Sequence, residues 1–228
     1  FGPYEDAMSS KSRYLFHSKL ATSVNLHRLS PQQIIDAAVS MNAPLNSIEG
    51  FFRQMIWREY VKHIHDITEG FRTLECYDKT SDQPNYLNQN NPLPPAYWGV
   101  KTGLNCLDNV TSSVLDEGWT HHIPRLMILA NIMTLSRIHP NEIYKWFMEM
   151  FIDSSEWVMV PNIYGMGTFA DGGIFSTKPY ICGSNYLLKM SNYKKGDWCE
   201  TLDGLYWKFI NDNLVFFKSN PRLSIMNT

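Results

Sequence analysis

The stretch PRLMILANIMTLSRI (residues 124–138) is apolar on almost every side of a helical wheel. A helix of that kind has no face for water, so the stretch predicts a buried helix at the centre of a larger helical domain. Residues 46–64 also place apolar side chains such as Ile48, Phe51 and Met55 at helical spacing. Strand patterns are scarce. The sequence therefore predicts a single all-α domain with long irregular loops.

Helix-start and helix-stop residues place the other predicted helices. Ser30 precedes a proline, which is typical of an N-cap followed by the first helical residue. Asn46 with Glu49 three residues later predicts a capping box. Residues 106–118 predict a shorter helix closed by a glycine, and residues 139–153 predict another that starts at a proline.

Two segments predict loops rather than helices. Residues 79–97 are polar and rich in proline and asparagine, and residues 161–183 are interrupted by glycines. The net charge of −2 gives no global basic field that would announce a polyanionic partner. Aromatic residues make up 14% of the chain, which favours a wide core or an aromatic-lined cavity.

The four cysteines, Cys76, Cys106, Cys182 and Cys199, include no CxxC pair. Because the chain also shows no signal peptide, we expect reduced thiols and a cytoplasmic location. No apolar run approaches the ~20 residues that a membrane span needs. The chain starts at Phe1 without an initiator methionine, and we expect an excised fragment.

The sequence THHIPRL places His121, His122 and Arg125 three and four residues apart, so all three can share one helical face. Histidine suits proton transfer near neutral pH, and a neighbouring arginine lowers its pKa. The alternative interpretation is an ordinary histidine pair at the surface or satisfied within the core. The residues alone leave both open.

The sequence FFRQMIWREY places Gln54 and Trp57 three residues apart on an otherwise apolar helix, with Arg58 next to them. Polar groups on a core-facing stripe need partners, and a bound ligand is one candidate. The alternative is an aromatic core with surface charges. The segment GMGTFADGG lacks the lysine of a P-loop and the GxGxxG pattern, so neither nucleotide motif applies.

Long segments in order resemble the photolyase/cryptochrome flavoproteins: YLFHSKLATSVNLHRLSP, PLNSIEGFFRQMIWREYVKHI, LPPAYWGVKTGLNCLDNV, GWTHHIPRLMILANIM, EWVMVPNIYGMGTFADGG and TKPYICGSNYLLKMS. The resemblance is closest to the bacterial (6-4) photolyase branch, whose members often carry an iron–sulfur cluster. It covers residues 1–228 as the C-terminal helical FAD-binding domain. The upstream α/β antenna domain of that family is expected to be missing.

The resemblance implies FAD as the cofactor and a set of residues around it. The segment that wraps the phosphates would supply Tyr4, His17, Ser18, Lys19, Leu20 and Thr22, with Arg58 nearby. Arg125 would pair with Asp153 beside the isoalloxazine, and Asn162 would also contact the cofactor. Trp146 and Trp98 would pass electrons to photoexcited FAD.

The resemblance also implies a lesion side. His122 would donate a proton in (6-4) repair, with His121 beside it. Gln54 and Trp57 would face a flipped-out base, Tyr180 would lie on the same side, and Lys178 would meet DNA phosphate.

Two positions depart from the family pattern. Met159 stands where many relatives have a glutamate near flavin N5, and methionine cannot exchange a proton there. Only Cys106 and Cys199 match the four cysteine ligands of the cluster-bearing relatives. Because a [4Fe–4S] cluster normally needs four thiolates, we expect no cluster and no other metal.

The implied function is light-driven repair of UV-damaged DNA, of the (6-4) type, by a photolyase-type lyase that uses reduced FAD. A blue-light receptor with the same flavin and tryptophans but no repair activity is the second hypothesis. A helical module that no longer holds FAD is the third. UV-damaged DNA is the expected partner under the first hypothesis, and a membrane is not.

Overall fold

The computed structural model describes residues 1–73, 77–78, 83–220 and 223, so Cys76 and residues 79–82 of the first predicted loop lie outside the described residues. The described part is helical, which confirms the predicted all-α class. Its α-helices are α1 (Ala21–Asn25), α2 (Pro31–Ser40), α3 (Leu45–Ile67), α4 (Asn105–Glu117), α5 (His122–Pro124), α6 (Asn131–Leu135), α7 (Pro140–Met150), α8 (Glu156–Val160), α9 (Ser184–Met190), α10 (Trp198–Asp212) and α11 (Leu214–Ser219).

Shorter elements complete the fold. One π-helical segment, Arg125–Ala130, joins α5 to α6, and a second, Pro161–Gly167, continues α8. Short 3-10 turns span Gly2–Tyr4 and Pro95–Trp98. The strands β1 (Tyr77–Asp78) and β2 (Gln83–Pro84) form an antiparallel pair in which Tyr77 lies opposite Pro84.

The central helix predicted from the apolar stretch is confirmed. It runs without interruption through residues 122–135, and Ile128, Leu129 and Met133 are completely buried. Its second half packs against the π segment Pro161–Gly167, where the Thr134 hydroxyl donates a hydrogen bond to the Gly167 carbonyl at 2.9 Å. The two π segments therefore meet at the core of the domain.

The predicted helix ends at Ser30, Gly118 and Pro140 are confirmed, and the one at Asn46 is wrong. The Ser30 hydroxyl accepts a hydrogen bond from the Gln33 amide, and Gly118 closes α4 in the left-handed conformation at φ 60°. Asn46 does not cap α3, because the helix already starts at Leu45 after Pro44. Glu49 instead forms an ion pair with Arg53 one turn later, at 2.8 Å.

The prediction of a loop over residues 161–183 is wrong for its first third, which is helical. Pro161 lacks an amide hydrogen, and the helix changes from α to π where this proline enters it. Glycine allows close packing here and does not form a turn. A Cβ on Gly167 would lie 3.1 Å from the Cβ of Ala130 in the other π segment.

The remaining loop is fixed by two buried polar side chains. Asn131 holds Cys182 on both sides, donating to its carbonyl and accepting from its amide, each at 3.0 Å. Asp171 accepts from the amides of Gly173 and Phe175 at 3.0 and 2.7 Å. Burial raises the pKa of this carboxyl. Residues 171–182 thus have a defined path against the core.

Within the described ranges, no helix combines the length and apolar character needed to cross a lipid bilayer.

Gly165 provides a test of the close packing of the second π segment. A Cβ at this position would lie 2.5 Å from the Cβ of Phe175, which is closer than non-bonded carbons can approach. We expect Gly165→Ala to lower the free energy of unfolding by about 2 kcal/mol or more. Gly204→Ala in α10 is the matched control, because no atom lies within 4 Å of its Cβ, and it should stabilise by up to about 1 kcal/mol. Urea denaturation distinguishes the two, and equal effects would contradict the packing argument.

Candidate cofactor and lesion site

A cavity of about 1360 Å³ opens between the N-terminal segment and the central helix. Its walls come from residues 1–6 and 15–21, from one face each of α2 and α3, from residues 119–127 and from residues 178–182. Pockets for drug-sized ligands have volumes of roughly 300–1,000 Å³. This cavity is therefore large enough for a ligand of dinucleotide size.

Most of the site residues predicted from the sequence line this single cavity: Tyr4, His17, Ser18, Leu20, Gln54, Trp57, His121, His122, Arg125, Asp153, Lys178 and Tyr180. The other predicted residues are described by the structure but do not line it: Lys19, Thr22, Arg58, Trp98, Trp146 and Asn162. The sequence order did not show that the residues expected to contact the cofactor and those expected to face the lesion would line the same cavity.

The floor of the cavity is a buried ion pair between Arg125 and Asp153. Both terminal guanidinium nitrogens of Arg125 donate to the two carboxylate oxygens of Asp153 at 2.9 Å, and Nε donates to the Thr120 carbonyl at 2.6 Å. The guanidinium lies 4.1 Å from the centroid of the Phe151 ring. The Asn25 amide donates to the backbone carbonyl of Asp153 at 2.9 Å. A bidentate pair of this kind fixes a positive charge in place.

Three histidines stand beside this pair. His121 is buried and stacks on His17, with ring centroids 3.9 Å apart and an interplanar angle of 14°. Desolvation, then the charges of His17, His122 and Arg125, lower the pKa of His121 to about 3. Desolvation also lowers the pKa of His17, against the opposing charge of Asp6. The expected effect of Arg125 on the histidine pair is present, but burial is the larger cause.

His122 has exposed surface because its ring faces the open cavity. The protein around the cavity still desolvates the ring, which together with Arg125 and His17 lowers its pKa to about 4. All three imidazoles are therefore neutral near pH 7 when no further charge is present. A negative charge in the cavity would act in the opposite direction and raise these pKa values.

The wall formed by residues 13–19 is tied to the end of α4. Arg13 forms ion pairs with Asp116 and Glu117 at 2.8 and 2.9 Å, and the Tyr14 hydroxyl donates to Glu117. The Lys19 ammonium lies 3.8 Å from the centroid of the Tyr14 ring, turned away from the cavity. Ser18, rather than Lys19, therefore presents its side chain on this wall.

The opposite wall uses one face of α3. Gly50, Gln54 and Trp57 are four and three residues apart, so they share one side of the helix. The Gln54 amide donates to the Glu5 carboxylate, which fixes its orientation. Trp57 packs edge-on against Phe175 at 5.4 Å. An oriented amide and a partly buried indole thus face the cavity.

Trp146 lies outside the cavity but belongs to an aromatic cluster that reaches it. Phe151, beneath the Arg125 guanidinium, lies 5.9 Å from Trp146, and Trp146 lies 5.7 Å from Tyr97. The Trp146 indole donates to the Tyr97 carbonyl at 3.2 Å. Trp98, which follows Tyr97 in the chain, is 51% exposed. The cluster extends from beneath the Arg125 guanidinium to Tyr97, whose chain neighbour Trp98 is exposed.

The remaining predicted residues have other neighbours. Arg58 lies over the Trp157 ring at 4.7 Å and pairs with Glu59 at 2.7 Å. Asn162 donates to the Val158 carbonyl of its own helix at 2.8 Å. Met159 is buried in α8 outside the cavity wall.

Sequence reasoning missed much of the apolar lining: Phe1, Phe16, Ile34, Ala38, Phe51, Trp119 and Met166. For α2 a signal existed, since Gln33, Ile34, Ala37, Ala38 and Met41 follow helical spacing on one face. Phe1 and Trp119 reach the cavity through tertiary folding alone, so no local pattern could have identified them.

The described cysteines, Cys106, Cys182 and Cys199, are buried free thiols. Burial raises the pKa of Cys106 and of Cys182 to about 12. Within the described part of the chain, no group of three histidine, cysteine, aspartate or glutamate side chains is arranged to hold a metal ion.

Comparison with known proteins identifies the family. Over 98% of its length the chain is 36% identical to a (6-4) photolyase of Agrobacterium fabrum. The chain belongs to the photolyase/cryptochrome family. It spans 45% of the length of that photolyase. No family model matches the chain.

Two viral proteins are also similar to this chain. Uncharacterized protein R855 of Acanthamoeba polyphaga mimivirus is 53% identical over 42% of the chain and 80% of its own length. Uncharacterized protein R853 of the same virus is 28% identical over 50% of the chain and 85% of its own length.

Removing one partner of the Arg125–Asp153 pair tests its structural role. Asp153→Asn leaves a buried guanidinium without a countercharge, and we expect a loss of about 3 kcal/mol or more of unfolding free energy. Glu49→Gln, in the exposed Arg53–Glu49 pair, is the matched control and should cost less than about 1 kcal/mol. Chemical denaturation measures both. Similar losses of unfolding free energy in the two variants would show that the buried pair stabilises the protein no more than the exposed pair does.

The lowered pKa of His121 predicts a pH dependence of stability. Below pH 6.5 the unfolded chain protonates this residue, whereas the folded chain does not do so until about pH 3. Stability should therefore fall as the pH drops from 6.5, with His121 contributing about 1.4 kcal/mol per pH unit. In His121→Gln the slope should be shallower by that amount, while His27→Gln, at an exposed site, should keep the original slope. Denaturation curves between pH 7 and pH 4.5 measure the slopes, and an unchanged slope in His121→Gln would contradict the prediction.

Proposed function

We propose that this chain is the FAD-binding helical domain of a protein that repairs UV pyrimidine photoproducts in DNA, of the (6-4) type, in a light-dependent reaction. Two thirds of the predicted site residues line one cavity, and they include residues expected to contact the cofactor and residues expected to face the lesion. That shared cavity is the observation that carries the proposal. The similarity to a protein named as a (6-4) photolyase supports it.

The residues present fit FAD. The cavity has the volume for a dinucleotide, and its wall holds buried ring nitrogens of His17 and His121 that lack a hydrogen-bond partner among the described residues. Buried polar atoms of this kind normally have a partner, which a bound ligand supplies. Ser18 and Leu20 would line the phosphate side, and Arg125 with Asp153 would hold a fixed charge beside the ring system. FAD, when bound, supplies light absorption and electron transfer.

The chain's own residues then bind and orient the damaged base. Trp57 offers an aromatic face for stacking, and the Gln54 amide, held by Glu5, is placed to bond a base edge. His122 projects into the cavity next to Arg125 and would hold the proton that the (6-4) product requires. Because its pKa is about 4 without a ligand, His122 gains that proton only when a negative charge enters the cavity.

The aromatic cluster would pass electrons to photoexcited FAD. Phe151, Trp146 and Tyr97 follow one another at 5.7–5.9 Å, and Trp98 reaches solvent. A blue-light receptor would use the same route, so this feature favours neither function. The wall that carries Gln54 and Trp57, here called the lesion wall, distinguishes the two functions. Only repair requires an amide and an indole that face a base.

The proposal is tested with the purified chain, FAD and an oligonucleotide that carries one (6-4) photoproduct. We expect a flavin absorbance band near ~450 nm that bleaches in blue light, and loss of the photoproduct under illumination. His122→Gln should retain the flavin and lower the repair rate by about 10²–10⁴-fold, because a positioned proton donor contributes that much. His27→Gln is the control and should repair normally.

Each alternative outcome is distinct. Photobleaching with the photoproduct unchanged would support the blue-light receptor and refute repair. Absence of any flavin band after incubation with FAD would support the helical module without cofactor. Equal repair in His122→Gln would remove this histidine from the reaction.

A further inference from the structure

The backbone of Phe175 is held at both of its polar groups by side chains. The Asp171 carboxylate accepts a hydrogen bond from the Phe175 amide at 2.7 Å, and the Tyr60 hydroxyl of α3 donates one to the Phe175 carbonyl at 3.2 Å. Asp171 and Phe175 are both buried. Because the amide and the carbonyl are both bonded, this loop residue has a fixed place between α3 and the turn at Asp171.

The second π segment closes the other side of Phe175. A Cβ on Gly165 would lie 2.5 Å from the Cβ of Phe175 and 3.2 Å from Oδ2 of Asp171. The backbone of Gly165 is therefore packed directly against both residues. Since interiors at this density do not deform freely, the Phe175 ring cannot move toward the π segment without a loss of packing.

Trp57 packs against the side chains that are fixed in this way. Its ring centroid lies 5.4 Å from that of Phe175 at 74° and 5.0 Å from that of Tyr60 at 33°, and Phe175 and Tyr60 are 5.5 Å apart. Each of the three rings thus contacts the other two, at separations that are favourable for aromatic pairs. Of the three, Trp57 alone is among the described residues that line the cavity.

We propose that Asp171 is a positioning residue for Trp57, which acts through Phe175 to fix where the indole stands on the lesion wall. Asp171 does not itself line the cavity, so it acts on an occupant only through the indole. An indole that is already held in one place loses less freedom when a base stacks on it. The base as occupant rests on the proposed function, whereas the positioning of Trp57 does not.

Fluorine NMR of the chain labelled with 5-fluorotryptophan tests the positioning without any ligand. The chain has seven tryptophans, and Trp57→Phe identifies the signal of Trp57. Asp171→Asn leaves the amide of Gly173 or of Phe175 facing an NH2 group instead of an oxygen, at nearly constant volume. We expect the Trp57 signal to broaden or split because the indole is no longer held in one position. A change of charge alone would shift the signal and keep it narrow.

The matched control is Asp108→Asn. The Asp108 carboxylate also accepts hydrogen bonds from two loop amides, those of Thr102 and Gly103, but it does not line the cavity. This variant should leave the Trp57 signal narrow.

Tyr60→Phe is a second variant that keeps the ring and removes only the hydroxyl bonded to the Phe175 carbonyl. It should broaden the Trp57 signal as well, and it decides the question if Asp171→Asn does not fold. A single narrow Trp57 signal in folded Asp171→Asn, or in Tyr60→Phe where that protein fails to fold, would overturn the proposal.

A double-mutant cycle connects the positioning to the lesion wall. The measured quantity is the preference of the chain, with FAD added and in the dark, for an oligonucleotide with one (6-4) photoproduct over the undamaged one. Trp57→Ala should lower this preference about tenfold or more, because stacking of a base on an aromatic ring contributes that much. Asp171→Asn should lower it about three- to tenfold in the unchanged chain and less than about twofold in Trp57→Ala. Equal losses in both backgrounds would overturn the proposal.

Failure of the proposed function gives a different result. If the unchanged chain binds damaged and undamaged DNA equally, the proposed repair function is refuted. The fluorine signal of Trp57 then decides the role of Asp171 by itself.

Discussion

The ion pair between Arg125 and Asp153 connects three segments at the floor of the cavity. Its guanidinium also bonds the Thr120 carbonyl and covers Phe151, while the backbone of Asp153 holds Asn25 of α1. The start of the central helix, the segment after α7 and the end of α1 therefore share one anchor. Replacing such a pair by apolar residues often stabilises a protein, so stability alone gives little reason for its presence. Its position on the cavity floor gives a functional one.

Burial is the main reason why the neighbouring histidines are neutral, and the same fixed charge adds to it for His121 and His122. A cation beside a partly desolvated imidazole disfavours a second cation, and the neutral rings can then pack face to face. The carboxylate of Asp153 is already engaged by both guanidinium nitrogens, so it offers the histidines little compensation. The cavity thus has hydrogen-bonding capacity and a surplus of groups that can become positive. That combination suits an anionic ligand better than a neutral one.

Local signals in the sequence predicted the local features of the fold. The N-cap at Ser30, the left-handed Gly118 and the buried helix over residues 122–135 each depend on neighbours within a few residues. Features that depend on tertiary packing could not be predicted from the sequence. The glycines of the second π segment suggested a loop, although Gly167 is helical and packs tightly against Ala130. Residue spacing brought His121 together with Arg125 but gave no sign of His17, which stacks on His121 from another segment.

The choice between repair and light sensing depends on the lesion wall rather than on the electron route. Both proposed functions require a flavin site and an aromatic connection to the surface, and the Phe151–Trp146–Tyr97 cluster would be compatible with either. A receptor does not require an amide and an indole positioned to face a base. Gln54 is oriented by Glu5, and Trp57 is supported by Phe175, which Asp171 in turn fixes through its backbone amide. An exposed hydrogen bond orients Gln54 and a buried network supports Trp57, and that arrangement is the physical reason to favour repair.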